Sequence, residues 1–287
     1  MLINKWIKKN TAKLNGKRVA ISGSTGGLGR EICFHLVTLG ASLVLVDRNI
    51  EKSHALAEEI RQRHTDVDIL HIKADMADMD SVRCAADELL KMDIDYLILN
   101  AGAYSIPRCI CDSGYDNVYQ INFISPYYLA RRLLSKIRNR GGRIIAVGSI
   151  AHNYSKIDES DIDFRDKKQA SLVYGNAKRY LTYSLMNILS DDVIVAHPGI
   201  SFTGITNHYP PLIFAIIKHP MKVIFMSPKY ASLSILYGLF APVPNGSWIG
   251  PVLFDIWGFP KVKKLNTASQ AERERIVEIA ENIYNNL

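Results

Sequence analysis

Acidic residues are missing from two stretches of this 287-residue chain: residues 1–20 and 193–254 contain neither aspartate nor glutamate. The formal net charge is +7, so the basic surplus is uneven. A nucleic-acid interface would rest on that charge alone, and no nucleic-acid partner is expected. Cysteine is scarce. Cys33, Cys84, Cys109 and Cys111 include a C-x-C but no C-x-x-C, which reads as reduced, partly buried thiols in a reducing compartment. No Pro/Ser/Gly-rich linker, internal repeat or low-complexity tract divides the chain. With 48% hydrophobic and 22% charged residues, disordered and collagen-like classes are excluded and one large core is expected.

The first acid-free stretch holds Lys5, Lys8, Lys9, Lys13, Lys17 and Arg18, while Leu2, Ile3, Trp6 and Ile7 would share one side of a helix. It is too short and too charged for a signal peptide or a membrane span. The second includes the apolar runs 211–217 and 223–226. Surfaces of this kind can lie on an anionic membrane; the simpler reading is a solvated basic end and a greasy substrate lid near 201–226. The organisation expected is a basic amphipathic segment over 1–15, a catalytic domain over 16–260 and a helical tail over 261–287, in a cytoplasmic protein with peripheral membrane contact as an option.

Short apolar runs at 19–22, 42–46, 69–72, 96–99, 143–147, 193–196 and 252–254 alternate with helical patterns at 28–39, 52–63, 79–90, 113–138, 172–189 and 228–240. A further helix at 269–284 carries no evident chemistry. Strands apolar on both faces and separated by helices imply a parallel sheet of about seven strands, covered on two sides: a single doubly wound α/β domain of Rossmann type.

The first strand runs into Ser22-Gly23-Ser24-Thr25-Gly26-Gly27-Leu28-Gly29, spaced G-x-x-x-G-x-G rather than G-x-G-x-x-G. Such a turn can seat a pyrophosphate on backbone N–H groups: Gly23 permits the tight turn, Gly27 a close phosphate, and Gly29 close packing of helix on strand. Alone the motif is weak. Asp47-Arg48 follows the last glycine by 18 residues, near the spacing of an acid that binds adenosine ribose hydroxyls. Asp47 suits NAD, and Arg48 suits the 2'-phosphate of NADP. Asp75-Met76 and Asn100-Ala101-Gly102 end the next two strands on the same rim, where ligands of such folds gather.

Tyr174 and Lys178 are one helical turn apart. A nearby ammonium lowers a phenol's pKa, making the pair a proton donor and acceptor. Ser149 ends the fifth strand on the same rim, Asn122 lies in a helical stretch where Asn is a mediocre former, and Pro198-Gly199 with Thr203 follows the sixth strand. Each has an ordinary structural reading: a surface aromatic along a Lys stem, a strand-ending or capping Ser, a capping Asn.

Taken in order, these motifs resemble the short-chain dehydrogenase/reductase family over roughly residues 16–255. Ser22-Gly23-x-x-x-Gly27-Leu28-Gly29 is similar to its T-G-x-x-x-G-[I/L]-G loop, and Asn100-Ala101-Gly102 to its N-N-A-G motif with Leu99 for the first Asn. Asn122, Ser149, Tyr174 and Lys178 match its Asn-Ser-Tyr-Lys tetrad, with Ala177 where Ser or Thr is common. The 25-residue Ser149–Tyr174 spacing, Ser149-Ile150-Ala151-His152 and Arg48-Asn49 resemble the retinol-dehydrogenase-like branch; Asp47 departs from it. The resemblance implies NAD or NADP as cofactor and hydride transfer between a nicotinamide and an apolar alcohol or carbonyl. It implies that Tyr174 exchanges the proton, Ser149 positions the oxygen, Lys178 binds the nicotinamide ribose and Asn122 holds a relay water. It also implies a homodimer or homotetramer. A nucleotide-binding sensor without turnover is the alternative. A serine hydrolase lacks a G-x-S-x-G elbow around Ser149, and Asp158, Glu159, Asp161 and Asp163 lack an ordered metal-ligand pattern and read as a solvated loop.

Overall fold

A computed structural model of the protein describes residues 2–187, 192–200, 226–244 and 246–287. Strands β1 (Arg18–Ser22), β2 (Ser42–Asp47), β3 (Ile69–Lys73), β4 (Tyr96–Leu99), β5 (Arg143–Val147), β6 (Val193–Ala196), β7 (Ser247–Leu253) and β8 (Trp257–Lys264) form one sheet, ordered β3-β2-β1-β4-β5-β6-β7-β8. All pairings are parallel except β7 with β8. Helices α1 (Leu2–Asn10), α2 (Gly27–Thr38), α3 (Ile50–Arg61), α4 (Met79–Lys91), α5 (Asn117–Tyr119), α6 (Ser125–Asn139), α7 (Ala170–Met186), α8 (Pro228–Gly238) and α9 (Gln270–Asn285) cover it.

Side chains alternate across a strand, so each strand feeds two cores. Val19 and Ile21 join Leu43, Leu45, Ile145 and Ile249 under α2, α3 and α8. Ala20 joins Val44, Val46, Leu97, Leu99 and Ile144 under α4, α6, α7 and α9. The strand order reverses between β1 and β4, and the rim above that point is where a doubly wound sheet leaves room for a ligand.

Several expectations are corrected. The sheet has eight strands, because Trp257–Lys264 pairs antiparallel with β7. Gly258, Pro260 and three lysines hide that strand from an apolar pattern, and Pro is tolerated at a sheet edge. The seventh strand begins at Ser247, well before 252. The helix expected from 113 starts at Asn117, where the Asp116 carboxylate caps the N–H groups of Val118 and Tyr119. Asp163 is buried rather than solvated, held by Arg165 and accepting the Asp116 N–H. Of the four free thiols only Cys33 is buried, which pushes its pKa up; Cys84 and Cys109 are exposed.

Candidate functional site

The chain leaves β1 at Ser22 and turns through Gly23, whose φ of 67° is left-handed. A Cβ there would stand 2.8 Å from the Ala101 Cα, and a Cβ on Gly29 would stand 2.2 Å from the Gly23 carbonyl oxygen, so neither site tolerates a side chain. The end of β4 grips this turn. Asn100 Nδ2 donates to the carbonyls of Ser22 (3.1 Å) and Gly23 (2.7 Å), and Ser22 Oγ accepts from the N–H groups of Asn100 and Ala101. Gly26, the N-cap of α2, offers no side-chain acceptor to the first-turn N–H groups, and Gly26 and Gly27 are exposed. A bare helix start at the reversal point of the sheet fits a dinucleotide pyrophosphate.

At the end of β2, Asp47 is 2% exposed. Its carboxylate accepts from Ser24 Oγ at 2.5 Å and from the Thr25 N–H at 3.4 Å, so it braces the glycine turn as well as ending the strand. The Arg48 side chain is 73% exposed, 3.9 Å from Asp75. Asp75 accepts from the Ala77 N–H at 2.9 Å, and the Met76 carbonyl accepts from Ser125 Oγ at 2.7 Å. These contacts hold the β3 end against the helix that carries Asn122.

Ser149 follows β5 and accepts from the Ala151 N–H, capping a short turn over Ile150–Asn153. That turn lies directly on α7: a Cβ on Gly175 would come 2.5 Å from the Ala151 carbonyl oxygen. The close approach sets Ser149 beside Tyr174, near enough for the serine hydroxyl to favour the ionised phenol. Tyr104 meets Tyr174 edge to face at 5.3 Å, a contact with no sequence signal. Ser149 and Tyr174 keep some exposed surface, whereas Lys178 and Asn122 are buried behind them.

Lys178 Nζ donates to the Val147 carbonyl at 2.8 Å and sits 5.7 Å from the Tyr174 ring centre. Burial lowers its pKa to about 8. The expectation that this ammonium depresses the Tyr174 pKa is not met: desolvation dominates and pushes the phenol up to about 12, with the neighbouring Ser149 hydroxyl opposing.

Asn122 lies in a π-helical segment, Gln120–Ile124, an irregularity found often at functional sites. Its Nδ2 donates to the carbonyls of Ala103 (2.7 Å) and Val118 (2.9 Å), and its Oδ1 accepts from the Ala103 N–H (3.2 Å). Both amide donors are therefore spent on backbone. A Cβ on Gly102 would be 2.8 Å from Asn122 Oδ1 and 3.8 Å from Lys178 Nζ, so the loop that grips the glycine turn also touches the tetrad.

A network with little local sequence signal stands behind Ser149. His152 Nδ1 bonds the Ser149 carbonyl at 2.7 Å and its Nε2 bonds Thr267 Oγ1 at 2.9 Å. Burial lowers the His152 pKa, keeping the ring neutral. Arg179 donates to the His152 and Thr267 carbonyls and pairs through two hydrogen bonds of 2.7 Å with Glu272 of α9. The tail helix read as chemically idle thus anchors the serine turn.

After β6, His197 stacks on Trp248 and bonds the Asp255 carbonyl at 2.9 Å; burial takes its pKa down to about 4. Pro198 and Gly199 follow on the same rim, Gly199 with φ 82° and no space for a Cβ beside Met226, Pro251 and Ile256. Thr203 and the lid near 201–226, apart from Met226, lie outside the described residues.

This fold and this rim define a dinucleotide-binding oxidoreductase. The short chain dehydrogenase family matches residues 17–160, and the chain belongs to that family: it is an NAD(P)-dependent dehydrogenase/reductase. The matched region ends before Tyr174 and Lys178, which geometry joins to it. Among curated relatives, retinol dehydrogenase 14 of Mus musculus is 28% identical over 254 residues, covering 81% of this chain and 76% of the relative. Retinol dehydrogenase 13 of Homo sapiens is 27% identical over 207 residues, covering 69% and 62%. An uncharacterised oxidoreductase of Schizosaccharomyces pombe is 26% identical, covering 83% and 76%. Among solved structures, a protein from Mycobacterium paratuberculosis superposes with TM-score 0.74 at 20% identity, covering 96% of each chain. L-Sorbose reductase from Gluconobacter frateurii, complexed with NADPH and L-sorbose, gives 0.62 at 20% identity, covering 80% and 92%.

Proposed function

We propose that this chain transfers a hydride between a nicotinamide and the carbonyl or alcohol carbon of an apolar substrate, with Tyr174 exchanging the oxygen-bound proton. The observation that carries the reading is the meeting of Ser149 and Tyr174 on an open rim, where the Ile150–Asn153 turn packs on α7, with Lys178 buried behind them on the Val147 carbonyl. Bound NADH or NADPH would supply the hydride to a carbonyl carbon, and the oxidised cofactor would accept it from an alcohol carbon. Gly23, Thr25, Gly27, Leu28 and Gly29 would hold the pyrophosphate. Asp47, Arg48, Asp75, Met76, Asn100, Ala101 and Gly102 would line the adenosine and ribose side, and Pro198, Gly199 and Thr203 would close the other end.

Ser149 Oγ orients the substrate oxygen while Tyr174 gives or takes its proton. Burial pushes the Tyr174 phenol up to about 12, so at neutral pH it holds its proton and stands ready as a donor. Because both amide donors of Asn122 are used, a relay water on this residue would have to donate to one of its oxygens, the main-chain carbonyl or the second lone pair of Oδ1. The apolar substrate class, retinoid-, steroid- or lipid-like, is supported by the composition of 201–226 and by retinol dehydrogenases among the relatives.

Tyr174→Phe should remove turnover, followed as NAD(P)H absorbance with lipophilic ketones, and leave cofactor affinity intact; unchanged turnover would refute the assignment. A panel in which small polyols outperform steroids and retinoids overturns the substrate class. Arg48→Ala should weaken NADPH binding severalfold and leave NADH unchanged, because only the former presents a 2'-phosphate to the guanidinium.

A further inference from the structure

The turn joining β7 to β8 exposes what a water-facing hairpin normally hides. Phe254 is 86% exposed, and Val252, Leu253 and Trp257 are also solvent-facing. Phe254 and Asp255 both adopt left-handed backbone, with φ of 53° and 58°, a conformation that a bulky residue rarely keeps without cause. The turn is nonetheless well tied. Asp255 pairs with Lys263 at 2.9 Å, its carbonyl bonds His197, and the Ile200 N–H donates to the Ile256 carbonyl at 3.2 Å.

A ladder of aromatic rings runs from this tip to the N-terminal helix. Trp257 stacks on Tyr230 (5.8 Å), Tyr230 meets Phe259 (5.0 Å), and Phe259 stacks on Trp6 of α1 (5.8 Å). Helix α1 therefore spends Trp6, with Ile3 and Ile7, on its own protein. What it leaves outward is Lys5, Lys8 and Lys9, with Leu2 and Asn4. Lys229 begins α8, Lys261 and Lys264 lie on β8, and none of α1, α8, β7 or β8 contains an acid.

We propose that the β7–β8 tip and the lysines of α1 form a docking surface for an anionic lipid bilayer, the tip entering the headgroup boundary and the lysines meeting lipid phosphates. An apolar wedge beside interfacial aromatics and unopposed lysines has the amphipathic character of such a surface. A second copy of this chain fits it less well: Pro260 and the lysines of β8 oppose pairing along that open edge. Among the described residues no helix is long and apolar enough to cross a membrane, so contact here would be from one side. Through His197 and Ile200 the tip is bonded to the loop beside the candidate site, which places the docked face next to the rim where an apolar substrate would enter.

The test is co-sedimentation of the full chain with phosphatidylcholine vesicles, with and without phosphatidylserine. The chain should pellet with the anionic vesicles, be released by high salt and ignore the neutral ones. Phe254→Ser with Trp257→Ser should weaken binding by roughly tenfold or more, and Lys5→Glu with Lys8→Glu and Lys9→Glu should abolish it. Bromolipids in anionic vesicles should quench tryptophan fluorescence of the wild type, and much less that of Phe254→Ser alone, which keeps Trp257; unchanged cofactor binding verifies the fold of both tip variants. Equal sedimentation of the tip variant overturns the proposal. So does self-association of the wild type that the tip substitutions remove, which would make another copy the occupant. Neither readout depends on turnover, so this surface and the proposed chemistry fail separately.

Discussion

Lys178 departs from the ordinary chemistry of a lysine inside the candidate site itself. Buried against the Val147 carbonyl, it loses its proton near pH 8 rather than at the usual value above 10. The sign of the linkage follows: between about pH 8 and 10.5 the unfolded chain binds more protons at this residue than the folded one. The cost of burying the cation is full below that window and fades as pH rises through it. Relative to Lys178→Met, wild-type thermal stability should therefore improve from pH 8 to 10, and a flat difference would show that the amine is hydrated. The sequence disclosed which residue neighbours Tyr174 but not the balance between charge and desolvation, because that balance depends on how deeply the turn over Ile150–Asn153 presses α7.

Helix α9 shows how an element can matter without carrying chemistry of its own. Its Glu272 neutralises Arg179, which is almost wholly buried and holds the His152 carbonyl, one residue pair away from Ser149. Glu272→Ala leaves that cation unpaired and should cost roughly 3 kcal/mol of stability, read as a shift in the urea midpoint. Turnover should fall while cofactor affinity holds, because Ser149 loses its backing and the glycine turn does not. A sequence reading could not find this link: Arg179 and Glu272 are 93 positions apart, and neither belongs to a local motif. Strand β8 is hidden for the opposite reason, since its lysines, Gly258 and Pro260 look like a loop until β7 supplies the pairing. The π-helical segment was equally hidden, because Asn122 reads as a poor helix former whether the helix widens or not.

For the molecule as a whole, legibility followed periodicity. The central strands could be placed because both faces of the sheet are covered, so each is an unbroken apolar run with a helix on either side. The rim residues could be placed because a doubly wound sheet puts successive strand ends in one crevice, turning linear order into proximity. What remained illegible are contacts that close the crevice sideways, such as Tyr104 on Tyr174 and the ring ladder from Trp6 to Trp257.

The loop after β4 deserves a last consequence. Its Asn100 clasps the turn at Gly23, and two positions later Gly102 lies flush with Asn122 and Lys178. The proposed nucleotide grip and the proposed proton exchange would thus share a single short lever, slack at one end being felt at the other. Asn100→Ala should produce a paired deficit, weaker cofactor affinity by fluorescence titration together with slower single-turnover reduction, where an isolated loss of either would mean that the two ends move independently.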